Sequence, residues 1–311
     1  MASMTSCGQT TNNIPILNRN GGAVRDEIPI QVVKYIVYDG KVIYAGLNLD
    51  ESKEYNIEIK NVDLRTFEPL DNIYAKDKNH IYCKGKEVEE LKPKDFFYLG
   101  NSYVKYKNEV YYSGEKLEKT DFASFSFLGD RYAKDSNNIY YFGSKIDGAD
   151  VVSFEPLKNG YSKDKNTVYF GGKKLKESES ITFEVLNAKY AKDRLNVYFW
   201  DKKIENADSQ TFITLDEEYA KDKNRVFYNS IPLEKADTKT FEVLDYPYSK
   251  DKNRVYTTLY GIVKNADAKT FKTLGNYGYG KDKNHVYYWG KILKGENPQD
   301  FIQPPPNRID L

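Results

Sequence analysis

The sequence predicts an all-β protein of tandem repeats, on three observations: one motif returns at a fixed interval, the segments between its copies alternate like strands, and the composition favours sheet. The motif reads YAKDKNHIY at Tyr74–Tyr82 and returns at Tyr103, Tyr132, Tyr161, Tyr190, Tyr219, Tyr248 and Tyr279, with six intervals of 29 residues and a last of 31. TFEVL (Thr182–Leu186) and the Val-Tyr runs after the motif Asn alternate apolar with polar, as half-buried strands do, while Asp-Lys-Asn and Gly-Lys-Lys read as turns. With 28 Tyr and 16 Phe among 311 residues, ring-bearing side chains that pack well on a pleated surface are abundant.

Each unit is expected to hold two or three antiparallel strands, as a hairpin or meander, and a connecting corner. Such a unit buries its rings only by leaning on its neighbours, which favours an open β superhelix. The alternative is a β-propeller, although a four-stranded blade normally takes about 40 residues.

Taken in chain order, residues 1–31 read as a leader. Met1–Thr5 resembles a vector-derived scar, and Ser6-Cys7 followed by the polar Gly8–Asn13 resembles the processed start of a bacterial lipoprotein, with Cys7 as the lipidated residue. The other reading is a free thiol in a polar tail. Residues 32–303 form the array of about nine units. Its degenerate first copy, IVYDGKVIY at Ile36–Tyr44, stands 38 residues before the next and aligns Asp39 with Asp77, the extra length fitting an insertion around Asp50–Glu58. Atypical end units suit an array whose outermost faces meet water.

Between motifs a second element recurs, with Phe67, Phe96, Phe125, Phe154, Phe183, Phe212, Phe241 and Phe271 preceded by an acid such as Asp63, Asp121, Asp150, Asp208, Asp237 or Asp267. Asp followed three residues later by Thr or Ser nucleates a single turn, because the carboxylate accepts from N–H groups downstream. That turn should aim the Phe into the core. After the first motif Tyr the residue is small at Ala75, Ala133, Ser162, Ala191, Ala220, Ser249 and Gly280, which implies a ring or backbone packed closely on that strand. Pro304-Pro305-Pro306 opens a tail over residues 304–311 and favours an extended exit.

The recurring KDKN followed by Val-Tyr-Tyr, with TFE and Leu between copies, resembles the bacterial DKNYY repeat family over about Asp63–Trp289. The resemblance implies a bacterial repeat protein and brings no activity with it. Tyr106 in place of Asp and Leu195 in place of Asn depart from the pattern, so altered turns are expected in those two units.

Composition narrows the function. With 47 Lys and Arg against 46 Asp and Glu there is no net charge to draw the chain onto a phosphate backbone or an anionic bilayer, so nucleic acid is not an expected partner. No apolar run is long enough to span a membrane, which leaves a lipid anchor at Cys7 as the membrane connection. Cys83 replaces a usually aromatic residue, and two such separated cysteines make no disulfide framework. His80 and His285 share a slot that elsewhere holds Glu, Asn, Thr or Arg, which suits a surface residue better than a catalytic base. Asp-x-Asn lacks the further oxygen ligands of a calcium loop, and no zinc spacing or phosphate-cradling loop is present. No metal, cofactor or catalytic residue is expected.

Two sets of residues remain as candidates for contact with a partner. The motif lysines Lys76, Lys134, Lys163, Lys192, Lys221 and Lys250 would form a ladder beside the motif aspartates, either relieving mutual repulsion or offering a cationic stripe. Trp200 and Trp289, the two tryptophans, fall at the turn after the Val-Tyr segment, within reach of a partner. The expected function is a non-catalytic lipoprotein of the bacterial cell envelope, at the outer surface or in the periplasm, binding a protein or glycan through an extended face. A structural spacer without ligand, a propeller-type hydrolase and a cytoplasmic location are the alternatives.

Overall fold

The computed structural model describes residues 34–48, 53–259, 261–275 and 277–303. Among these, nine antiparallel sheets follow one another along the chain, a three-stranded one over Lys34–Ile59 and then eight of four strands. Every sheet takes its strands consecutively and keeps two open edges, so none closes into a barrel. The only helical piece among the described residues is a single 3-10 turn at Pro93–Asp95. The tandem antiparallel repeats expected from the periodicity are present. The chain divides between Pro156 and Leu157 into two compact units.

The eight four-stranded sheets exceed the two or three strands that the sequence suggests. The second and third strands are those expected, as in Tyr190–Lys192 and Val197–Phe199, with Glu184–Val185 as the first. The Lys-Lys pair assigned to a turn pairs as a fourth strand: Lys202 and Lys203 lie opposite Phe199 and Tyr198. A strand of two residues carries no readable alternation, which is why pattern alone missed it.

The cores lie between sheets rather than within them. Tyr161, Val168 and Leu175 on one face of the fifth sheet enclose a cluster with Phe183, Ala191 and Tyr198 on the opposing face of the sixth. The same positions recur as Tyr190, Val197 and Ile204 against Phe212, Ala220 and Phe227, and, in the first unit, as Tyr103 and Val110 against Phe125, Ala133 and Tyr140. Each fully buried ring contributes about 1.5–3 kcal/mol by leaving water, so an isolated repeat would lose that on both faces. Tyr74, Tyr103 and Tyr132 have like surroundings: all are buried, each ring 5.4–5.8 Å from the next corner's Phe96, Phe125 or Phe154.

The small residue on the second strand makes room for a corner ring. A Cβ at Gly280 would stand 2.5 Å from Phe271 Cζ, and Ala191 shares its cluster with Phe183. The corner itself is the expected single turn. In the seventh repeat the Asp208 carboxylate accepts from the Thr211 amide (3.0 Å) and hydroxyl (2.8 Å), delivering Phe212 into the core.

Three expectations are corrected. In the first sheet Tyr35, not Ile36, matches Tyr74, because Tyr35 pairs with Tyr44 as Tyr74 pairs with Cys83. The offset is one residue longer than the alignment suggests; Tyr38 takes the place of Asp77, and Asp39 stands exposed in a two-residue turn with Gly40. Much of the presumed insertion is a strand, Lys53–Ile59, laid along Lys41–Asn48. Tyr106 does alter its turn, whereas Leu195 does not: the Asp193 carboxylate accepts from the Leu195 and Asn196 amides at 2.8 and 2.7 Å, as in the regular copies.

Candidate functional site

Every four-stranded sheet has two ends of different chemistry. One carries the corner and the motif loop between the second and third strands, Asp-Lys-Asn in its regular form, and the other carries the two remaining turns.

At the loop end the motif aspartate is buried and saturated. Oδ1 of Asp251 accepts from the Asn253 and Arg254 amides at 2.7 and 2.8 Å, while Oδ2 accepts from the Tyr256 hydroxyl at 2.8 Å and the Asp237 amide of the corner at 2.9 Å. The same set recurs at Asp77, Asp135, Asp193 and Asp282. Burial alone would raise these carboxyls, but the converging donors outweigh it and hold Asp77, Asp135, Asp251 and Asp282 below the ordinary carboxylate range. Such a carboxylate has no lone pair facing outward for a cation or a substrate. The ladder of motif aspartates expected beside the lysine ladder is therefore corrected: each acid is buried and turned into its own repeat.

The motif lysines reach the next repeat. Lys192 Nζ donates to the carbonyls of Ser209 and Phe212, both at 3.4 Å. Lys163 donates to Ser180, Lys221 to Thr238 and Lys250 to Phe271 in the same way, while Lys76 pairs with Glu68 at 3.2 Å. Lys134 is half-buried. Outside them, solvent-screened pairs such as Lys78–Asp63 and Lys223–Asp208, both at 2.6 Å, neutralise the surface.

The turn end is where tyrosine hydroxyls join repeats. The Tyr190 hydroxyl donates to the Glu218 carbonyl (2.9 Å) and accepts from the Ser230 amide (3.2 Å), both on turns of the following sheet. Tyr103 does this with Arg131 and Gly143, and Tyr248 with Gly278 and Gly290. Burial pushes the Tyr248 hydroxyl up to about 12, so it stays protonated and able to donate at physiological pH.

Aromatic side chains stand on this end at strained positions. The residue opening the turn between the third and fourth strands has a positive φ at Lys84, Ser113, Phe142, Gly171, Trp200, Asn229 and Trp289. Gly and Asn suit that conformation; Phe142, Trp200 and Trp289, at φ 47°, 55° and 49°, do not. Trp289 is fixed by its amide, which donates to the Gly278 carbonyl at 2.7 Å, and by a T-shaped contact with Tyr246 at 5.4 Å. Trp200 packs on Phe199 at 4.7 Å, and Arg131 covers the Phe142 ring at 5.1 Å. Exposed Tyr246 and Tyr277 join Trp289 at this end of the last two repeats. Sequence reasoning named the tryptophans and missed Phe142, Tyr246 and Tyr277. A ring in a slot that elsewhere holds Gly or Asn was the readable signal for Phe142, whereas Tyr246 and Tyr277 sit in turns of irregular sequence.

Two shallow surface grooves, of about 370 and 320 Å³, are lined by several lysines, and among the described residues no group of three metal-binding side chains converges. His80 packs against the Asp77 carboxylate at 3.2 Å. Cys83 is buried, and Cys7 lies outside the described residues. No helix among the described residues is long and apolar enough to cross a membrane.

The family model that matches the chain is that of the DKNYY family, over residues 35–169, 132–260 and 257–304. No curated protein and no solved structure matches the chain. Together the three segments take in nearly every repeat, and the chain belongs to the DKNYY family.

Proposed function

We propose that this chain is a non-catalytic protein of the bacterial cell envelope that binds a protein or glycan partner at the turn ends of its repeats. The observation that carries the proposal is the placement of Trp200 and Trp289 in left-handed backbone, where Gly171 and Asn229 hold the same turn without strain. Rings kept there at a cost to the backbone are rigid contact surfaces that lose little entropy on binding. Repetition then multiplies one modest contact along the array. Attachment to the envelope rests on the Ser6-Cys7 start and its resemblance to a processed lipoprotein.

A spacer without ligand is the second reading, supported by a specific observation. The recurring motif Lys and Tyr spend their polar groups on joining repeats, and the motif Asp spends its own on tying loop to corner within a repeat. The test is binding of the full chain to arrayed bacterial glycans and envelope proteins, compared with Trp200→Ala and Trp289→Ala. A partner whose affinity falls by about tenfold in either variant supports the binding reading. Absence of any partner for the parent chain leaves the spacer.

A further inference from the structure

At the end of the second unit an aromatic notch lies beside the point where the described chain stops. Tyr246 and Tyr277 are 49% and 53% exposed, and Trp289 stands nearly perpendicular to Tyr246, at 84°. One wall is rigid: a Cβ at Gly278 would lie 2.5–2.9 Å from Nε1, Cδ1 and Cε2 of Trp289, so backbone is packed on the pyrrole ring. Perpendicular rings leave a ridge and a slot rather than one flat platform. A slot of that kind suits a pyrrolidine ring, the way aromatic grooves seat proline-rich segments.

The chain arrives at this notch with prolines. Residues Asn297–Phe301 repeat the corner: the Phe301 amide donates to the Asn297 carbonyl at 3.0 Å, Lys281 Nζ donates to Pro298, and the Phe301 ring lies 5.8 Å from Tyr279. Gln303 Oε1 then stands 3.6 Å from the Cβ position of Gly275, two residues before Tyr277. Pro304-Pro305-Pro306 come next, at the start of residues 304–311, which lie outside the described residues. Three prolines in their preferred extended helix cover about 9 Å. Gly275 and Gly278 are three residues apart, at most about 11 Å even if extended.

We propose that the Tyr246–Tyr277–Trp289 notch is a proline-binding site and that its occupant is the Pro304–Pro306 run of this same chain. The fixed φ of proline removes most of the ordering cost, and the tether supplies a high local concentration. Because one occupant is already attached, the site closes the last repeat of the array and competes with any partner that uses Trp289.

The test uses Trp289 as its own reporter. In a Trp200→Phe background the indole at 289 is the remaining tryptophan, and the full chain is compared with Pro304→Gly/Pro305→Gly/Pro306→Gly. Release of the tail should red-shift the Trp289 emission and raise its quenching by acrylamide about twofold, as a docked ring regains solvent. A synthetic peptide of residues 304–311, added at about millimolar concentration, should reverse both changes. Adding Tyr246→Ala should abolish the difference between the two tails. Identical emission and quenching for proline and glycine tails would overturn the proposal, as would a difference that persists unchanged in Tyr246→Ala.

Discussion

The third and fourth sheets close the same hairpin in two ways. In the fourth, Lys134 pairs with Ile139 across the loop Asp135–Asn138, and the Asp135 carboxylate gathers the Asn137, Asn138 and Asp121 amides and the Tyr140 hydroxyl. In the third, Tyr106 pairs with Glu109 across a two-residue turn, Lys107–Asn108, with φ 46° and 64°. The strand register is the same, Tyr103 facing Tyr112 as Tyr132 faces Tyr141. What moves is the acid. Tyr111, the counterpart of Tyr140, gives its hydroxyl to Glu109 at 2.6 Å, and the corner becomes the 3-10 turn at Pro93–Asp95. The difference teaches that the hairpin length is set by strand pairing, whereas the aspartate is there to satisfy a buried hydroxyl and anchor a corner.

The largest expected effect breaks the caged version. Asp135→Ala leaves five donors without their acceptor and should lower stability by about 3 kcal/mol, read as a shift in the urea midpoint. Acid should do the same more gently. The folded Asp135 carboxyl lies below its ordinary value of 3.8, so its contribution is complete above that value and is lost as pH falls through the lowered one. The gap between parent and Asp135→Ala should therefore narrow progressively as pH falls below the ordinary 3.8. A gap that stays constant on acidification would show that the carboxylate charge is not what the cage stabilises.

Next in size is the uncaged version. Tyr106→Phe removes the hydroxyl that donates to the Glu90 carbonyl and should cost about 1 kcal/mol in the same unfolding measurement, with no acid-dependent component. The smallest effect runs the other way. Phe227 occupies the position of Tyr256, so the Asp222 cage lacks the hydroxyl its neighbours receive. Phe227→Tyr should add about 0.5–1 kcal/mol. A loss on this substitution would mean that the ring cannot reach the carboxylate in that repeat.

Much of this was legible in the sequence because periodicity survives substitution. The interval, the Asp-x-x-Thr corner, the small residue beneath Phe and the half-cores all follow from residues that recur in phase. The buried aspartates were not legible, since Asp in a turn reads as a surface residue until the Tyr five positions on is seen to share its cage. Nor was the first sheet's register: Asp39 matches Asp77 by letter, but Tyr35 matches Tyr74 by its hydrogen bonds to Ile73 and Gly85. The tryptophans were singled out by rarity. Only their backbone angles show that each sits where Gly is easier.

Cores shared half-and-half between adjacent copies have an evolutionary consequence. Excising residues 176–204 would bring Tyr161, Val168 and Leu175 against Phe212, Ala220 and Phe227, which is the pairing each had with the lost copy. Unequal recombination between copies can therefore lengthen or shorten the gene by whole units without inventing a new junction. Copy number becomes a heritable dimension of this molecule, adjustable separately from the chemistry of any one repeat.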